Sequence, residues 1–203
     1  MGAFVTVLAE RSGLCVLVRG GREKMKIIAG IPAHNNKKCI GSLFLGVKKQ
    51  VDAIIVVDDG STDDTVEIAK AAGATVVAHE ENRGKGRAVK NALRYAVEHG
   101  FDALVLLDGD GQHNPNEIPQ LLVPLTNDSA DIVIGFRTFD QMPAYRRLGR
   151  AVLDHATGGP VRDSQCGIRA LNRNAIELLS DTLETDDFAI ESKMTRIANE
   201  QNF

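Results

Sequence analysis

The chain is poor in cysteine, in long apolar runs and in net charge, and each shortage closes off a class of function. Cys15, Cys39 and Cys166 are its three cysteines in 203 residues, and none form a CxxC spacing. That argues against both a disulfide framework and a structural zinc site, and for a reducing compartment. No apolar stretch approaches the ~18 residues that a membrane-spanning helix needs. The N-terminal segment VTVLAERSGLCVLV carries Glu10 and Arg11 in its middle and has no basic leader, so a signal peptide is not expected. With 24 basic against 27 acidic residues the formal charge is −3, which makes no global case for nucleic-acid binding. Internal repeats and low-complexity tracts are missing as well.

What is present is a core. Hydrophobic residues make up 43% and charged ones 25%, the balance of a soluble globular chain whose length suits one domain with a short appendage. Charge is uneven: Arg137, Arg146, Arg147 and Arg150 cluster, as do Asp181, Glu184, Asp186 and Asp187. Residues 1–25 fit poorly with the rest of the chain; they read either as an added strand pair turning at Ser12-Gly13 or as an extension upstream of a domain that starts near Met25.

From Lys26 onward, short apolar runs alternate with amphipathic stretches, the signature of βαβ units on a parallel sheet. Strands are expected at Ile27–Ile31, Ala53–Val57, Thr75–Ala78, Ala103–Leu107 and Ile132–Phe136. Helices are expected at Lys37–Lys49, Thr62–Ala72 with Gly73 as C-cap, Gly86–His99, about Asn116–Leu125, 174–180 and 189–200. After Arg137 the pattern loosens around Met142-Pro143 and Gly158-Gly159-Pro160. The chain stops after a helical stretch without a closing strand, so it reads as a fragment of a longer domain.

The stretch ALVLLDGDGQHN (103–114) is the most informative. A continuous apolar run ending in turn residues reads as a strand buried on both faces. Asp108, Asp110 and Gln112 then fall where that strand leaves the sheet, the edge at which open α/β sheets bind ligands. While the backbone stays extended, residues two apart share a side. Oxygen ligands so spaced suit a Mg²⁺ that also takes phosphate oxygens. A solvated turn would look much the same. An EF-hand fails, because its sixth and twelfth positions would be His113 and Pro119 rather than Gly and Glu. A phosphatase-type Asp-x-Asp-Gly usually opens its domain, whereas half of this chain comes first. Alone, the motif leaves metal binding and a plain turn equally open.

The other strand ends also carry polar loops. Asp58-Asp59-Gly60-Ser61-Thr62 reads as a helix cap that leaves Asp59 free to accept from a base or ribose. Ile31-Pro32-Ala33-His34-Asn35-Asn36 reads as a βα loop ending in an Asn cap. Gly84-Lys85-Gly86-Arg87 departs from the P-loop pattern; glycines opening a helix beside Lys and Arg could face phosphates, but a solvated helix start is the stronger expectation. Asp163-Ser164-Gln165-Cys166-Gly167 reads as a loop before a short strand. His113 and His155 are expected to be hydrogen-bonded bystanders, and Cys166 has no paired His to make it a nucleophile.

Taken in order, I-P-A-H-N-N, V-V-D-D-G-S-T-D-D-T, N-R-G-K-G, L-D-G-D-G-Q-H-N-P-x-E-I-P, D-I-V-I-G-F-R and D-S-Q-C-G-I-R-A resemble the inverting family 2 glycosyltransferases, and among them the dolichol-phosphate mannose synthase branch. The likeness spans roughly residues 26–200. It implies a nucleotide-diphospho-sugar transferase (GT-A) fold of the α/β class, with a mostly parallel central sheet and helices on both faces. It implies that Pro32, His34, Asn36, Val57, Asp59, Asp108 and Gly109 contact the nucleotide sugar, and that Asp108, Asp110 and Gln112 hold Mg²⁺ or Mn²⁺. Asp110 and Arg137 would be catalytic, and Arg137, Arg146, Arg147 and Arg150 would meet the acceptor phosphate.

The implied reaction moves a hexose from a GDP-mannose or UDP-glucose type of donor to a polyprenyl or dolichyl phosphate, at the cytoplasmic face of a membrane that the protein touches peripherally. A phosphate acceptor is already anionic at pH 7, with a second pKa of ~6, and needs positive charge rather than a general base. Three positions depart from the family. His34 replaces Tyr, Asn36 replaces Glu, and Lys193, two residues after Glu191, stands where a second acid is common. These departures motivate the rival reading, a catalytically weak or inactive nucleotide-sugar-binding protein of the same fold; a phosphatase is a more distant third. The family also continues beyond this point, through a further strand and a juxtamembrane helix.

Overall fold

The computed structural model describes residues 24–135, 166–183 and 190–201, together with the backbone of residues 4–8 and 15–19. Near the N-terminus, β1 (Phe4–Leu8) and β2 (Cys15–Arg19) pair antiparallel, from Phe4 opposite Arg19 to Leu8 opposite Cys15. The turn expected at Ser12-Gly13 lies outside the described residues.

The main sheet has six strands. They are β3 (Ile27–Ala33), β4 (Ala53–Asp58), β5 (Thr75–Ala78), β6 (Ala103–Leu106), β7 (Ile132–Ile134) and β8 (Arg169–Asn172), in the spatial order β5-β4-β3-β6-β8-β7. β3 to β6 are mutually parallel; β8 runs antiparallel to both β6 and β7. Because β3, β4 and β6 point the same way, the loops after Ala33, Asp58 and Leu106 emerge along one edge.

Among the described residues, six α-helices cover the sheet: α1 (Ile40–Val47), α2 (Thr65–Ala72), α3 (Lys85–Glu98), α4 (Ile118–Thr126, preceded by a 3₁₀ turn at Pro115–Glu117), α5 (Arg173–Thr182) and α6 (Ile190–Glu200). The period of two along each strand sorts the core into two layers. Ala29, Ile31, Ala103 and Val105 pack with Ile40, Phe44, Leu122 and Leu125 of α1 and α4. Their neighbours Ile28, Ile55, Leu104 and Leu106 pack with Leu93, Ile176 and Met194 of α3, α5 and α6. The central strands are apolar throughout because both of their faces are covered. α3 lies especially close to β3: a Cβ on Gly30 would fall 2.9 Å from that of Ala92. Among the described residues, no helix is long and apolar enough to cross a membrane.

Several boundaries differ from the sequence expectation, and the loops explain why. Gly73 closes α2 in the left-handed conformation, φ 100°. α1 starts at Ile40 rather than Lys37, since Asn35 is left-handed (φ 53°) and the Asn36 carbonyl accepts from the N–H of both Cys39 and Ile40. α2 starts at Thr65 rather than Thr62, because the Asp63 carboxylate holds the Thr65 N–H and hydroxyl and ties the preceding turn. β7 ends at Ile134, and Phe136 lies outside the described residues.

Candidate active site

A cleft of about 360 Å³ opens where β3, β4 and β6 end. Pro32, His34, Asn36, Asp59, Asp108, Gly109 and Asp110 line it, joined by Asn82, Gly84 and Lys85 from the loop that opens α3. Four separate stretches of the sequence therefore meet at the edge expected for a ligand in an open α/β sheet.

The end of the cleft made by β3 and β4 is held by hydrogen bonds. The Nδ1–H of His34 donates to the Asp59 carbonyl at 2.8 Å, and the Asn35 side-chain amide donates to its Nε2 at 3.1 Å. This fixes the ring while leaving His34 exposed on the cleft wall. Asn36 Oδ1 accepts from the His34 N–H at 3.0 Å, and the Asn36 N–H donates to Thr65 Oγ1 at 2.8 Å. Asn36 thus shapes the loop. The same Oδ1 would lie 2.7 Å from a Cβ at Gly109, which is why the β6 loop can pass so close only with glycine there.

Asp59 is 4% exposed. Its Oδ1 accepts from His79 Nδ1–H at 2.7 Å and from the Arg83 N–H at 2.8 Å, and Asn91 supports His79 from behind at 2.9 Å. Asp58, one residue earlier, is buried and accepts from the N–H and hydroxyl of Ser61. So of the paired aspartates, the first closes the turn and the second reaches the cleft.

The β6 end is ionic. The Lys85 ammonium lies 2.6 Å from Asp108 Oδ1 and also contacts Glu191 of α6. His113 Nε2 stands 3.6 Å from Asp108 Oδ2. Burial by itself would push the Asp108 carboxyl up; the His113 ring and the Lys85 ammonium outweigh it and hold the group at about 2. For Lys85 burial likewise opposes the charged form, and its two carboxylate partners prevail, so its pKa is raised. A Cβ on Gly167 would overlap Asp108 Oδ2, so the loop before β8 presses on the carboxylate from the other side. Beneath lies Arg169, 1% exposed, whose Nε–H donates to the Cys166 carbonyl at 3.2 Å and whose Nη1 donates to Thr195 Oγ1 at 3.1 Å.

Asp110 is exposed at the rim, and its Oδ1 accepts from the Gln112 N–H at 3.0 Å. Among the described residues, no group of three or more His, Cys, Asp or Glu could hold a metal on its own. A closed protein cage is therefore not what these residues make. They fit an open site, in which Asp110 and a ligand's phosphates would share a Mg²⁺ or Mn²⁺, since such ions often take only one or two protein carboxylates.

Three residues singled out in the sequence sit as follows. Val57 has no exposed surface: strand alternation puts it in the core layer under α3 with Val89 and Leu93, and it is not among the cleft-lining residues. Gln112 is exposed and does not line the cleft; the extended backbone stops at Leu106, and Gly111 turns the chain at φ 76° before Gln112 is reached. Lys85 faces the cleft rather than solvent. Arg137, Arg146, Arg147, Arg150 and His155 lie outside the described residues. Sequence reasoning raises the Lys85 stretch only as the weaker of two readings, and it does not single out Glu191 or Arg169 for the site. A lysine between two glycines at a helix start is a weak signal for Lys85, and nothing local points to Glu191.

A family model described as Glycosyl transferase family 2 matches residues 29–177. The UDP-N-acetylglucosamine–dolichyl-phosphate N-acetylglucosaminyltransferase of Methanococcus voltae is 33% identical over 195 residues, covering 83% of this chain and 78% of that one. The undecaprenyl-phosphate mannosyltransferase of Micrococcus luteus is 29% identical over 191 residues, covering 84% and 76%. Glucosyl-3-phosphoglycerate synthase from Mycobacterium tuberculosis, in a crystal structure with Mn²⁺, UDP-glucose and phosphoglyceric acid, superposes with a TM-score of 0.72 at 27% identity. That match covers 87% of this chain and 66% of the solved one, so the chain spans slightly less than two thirds of that enzyme's length. The mostly parallel sheet with a helical layer on each face is the GT-A arrangement of that structural neighbour, and the chain belongs to glycosyl transferase family 2.

Proposed function

We propose that this chain transfers a hexose from a nucleotide-diphosphate sugar to a polyprenyl phosphate, with inversion at the anomeric carbon, aided by Mg²⁺ or Mn²⁺. The observation that carries the reading is the division of one cleft into two ends. A fixed ring and a buried carboxylate, His34 and Asp59, stand at one end. A carboxylate at the rim and an ammonium, Asp110 and Lys85, stand at the other. The first suits a nucleoside, whose hydroxyls and ring N–H groups are donors; the second suits a diphosphate. A divalent ion bound at Asp110 would neutralise charge developing on the departing diphosphate. Lys85 would add positive charge from the protein side.

For the acceptor, the relatives named for dolichyl-phosphate and undecaprenyl-phosphate transfer support a lipid phosphate. Arg137, Arg146, Arg147 and Arg150 are the residues we assign to it, since guanidinium groups bind phosphate in a planar, bidentate fashion. Such an acceptor would bring the enzyme to a membrane surface, on its cytoplasmic side.

The deciding experiment is sugar transfer to a polyprenyl phosphate from UDP- and GDP-linked hexoses, run beside melting curves with UDP and GDP in the presence and absence of Mn²⁺. Transfer is expected with one donor class. The matching nucleotide at a hundred times its dissociation constant should stabilise the fold by ~2.7 kcal/mol. Binding that is indifferent to metal and to Asp110→Ala would remove the metal role. Nucleotide binding without transfer, in a chain extended to its relatives' full length, would favour the non-catalytic reading.

A further inference from the structure

Glu191 has no obvious business near the cleft. It sits in the first turn of α6, does not line the cleft, and its side chain is 14% exposed. α6 has apolar means of docking, through Ile190, Met194 and Ile197. A carboxylate on the packed side of such a helix is unfavourable unless it is paired. Its partner is Lys85, 106 residues earlier in the chain.

One ammonium between two carboxylates is more negative charge than Lys85 needs. Asp108, 2.6 Å away, would already neutralise it. The second carboxylate matters when Lys85 changes partner. An anionic diphosphate entering the cleft competes with Asp108 for the ammonium, and a lysine, with a flexible stem and three rotatable donors, can follow it. Without Glu191, Lys85 would have to abandon its one remaining counter-ion, the half-buried Asp108, to do so.

Resting on the function proposed above, we propose that Glu191 is a positioning residue of this site: as standing counter-ion of Lys85, it holds the ammonium at the cleft while Lys85 exchanges Asp108 for the diphosphate of the nucleotide. Asp108 is released by the same exchange. Glu191 itself touches neither substrate nor metal.

The test is titration calorimetry on the full chain, using wild type, Glu191→Gln, Lys85→Met and the double variant. The probes are UDP and GDP with Mn²⁺, and uridine and guanosine alone. The quantity read is the diphosphate increment, the ratio of nucleoside to nucleotide dissociation constants. Glu191→Gln is expected to reduce that increment about tenfold, with nucleoside affinity changed less than about twofold. In the Lys85→Met background, Glu191→Gln is expected to change the increment by less than about twofold, because the two residues act as one unit.

Glu191→Asp, whose shorter side chain withdraws the carboxylate from Lys85, should give a smaller loss in the same sense and serves if the Gln variant does not fold. Equal weakening of nucleoside and nucleotide would mean that Glu191 merely holds α6, and the inference falls. It falls equally if the effect persists undiminished beside Lys85→Met, or if Glu191→Gln binds as wild type does while the functional reading stands. Wild type that binds neither nucleotide overturns the functional reading, and this inference with it.

Discussion

The two ends of the cleft are built from different materials. Where β3 and β4 end, Asn35, Asn36, Ser61, Thr65 and His79 make short directional hydrogen bonds, and the elements they join are neighbours on the sheet. Where β6 ends, three charges from residues 85, 108 and 191 meet, each from a different element. A hydrogen-bonded frame holds a shape and adds little field, which is what a base and ribose need for recognition. A cluster of charges holds a field ready for a group that is itself charged, where preorganised electrostatics contribute most. One end is rigid by geometry and the other is poised by electrostatics.

The largest effect should come from Lys85→Met, which deprives the ionic end of its only cation among the described cleft-lining residues. Asp108 and Glu191 would then repel across the space the ammonium held. Breaking a buried pair costs about 3–5 kcal/mol, and with Lys85 36% exposed the low end, roughly 3 kcal/mol, is expected from urea unfolding. Transfer activity should fall by about 10². Nucleoside binding should be nearly untouched; if it falls as far as nucleotide binding, the two ends are not separate devices.

Gly167→Ala attacks the same end by shape rather than by charge. Its new methyl would overlap Asp108 Oδ2, so either the carboxylate or the loop before β8 must move. Overpacking of this kind costs about 1–3 kcal/mol. The metal-dependent part of nucleotide binding should weaken with it, measured as the difference in melting shift with and without Mn²⁺.

Much of this was legible in the sequence. The apolar runs at Ile27, Ala53 and Ala103 read as buried parallel strands, and it followed that Asp59 and Asp108 would stand at one sheet edge. The helix starts were less legible, because side-chain and carbonyl bonds in the preceding loops, from Asn36 and Asp63, claim residues that periodicity assigned to a first turn. The burial of Val57 is not legible in the same way, because motif position says nothing of parity, and parity points it under α3. The pairing of Lys85 with Glu191 is illegible for a different reason. Their contact joins residues 106 apart, and no local pattern carries that information.

Acid sharpens the contrast further. Asp108 is held at about 2 against an ordinary 3.8. A folded-state value below the unfolded one stabilises the fold above about pH 4, and that contribution is lost as pH falls through 2. Its size is about 2 kcal/mol. Asp108→Asn should therefore be less stable than wild type near pH 6, and the gap should close as pH approaches 2 in urea unfolding. From the alkaline side the sign reverses: the raised Lys85 pKa contributes below 10.5 and is lost as pH climbs through its folded value.

The smallest effect belongs to the hydrogen-bonded end. Ser61→Ala removes the hydroxyl that donates to Asp58 and accepts from the Asn35 N–H at 2.8 Å. The Ser61 N–H still donates to Asp58 Oδ2 at 2.9 Å, so the buried carboxylate keeps one partner and the cost should be about 1 kcal/mol. Asn35 would stay left-handed, because its Oδ1 still takes the Thr62 N–H at 2.9 Å. Nucleoside affinity should drop severalfold while the diphosphate increment keeps its wild-type value. A loss confined to the increment would mean that the β4 loop serves the diphosphate, and the division between the two ends would have to be drawn elsewhere.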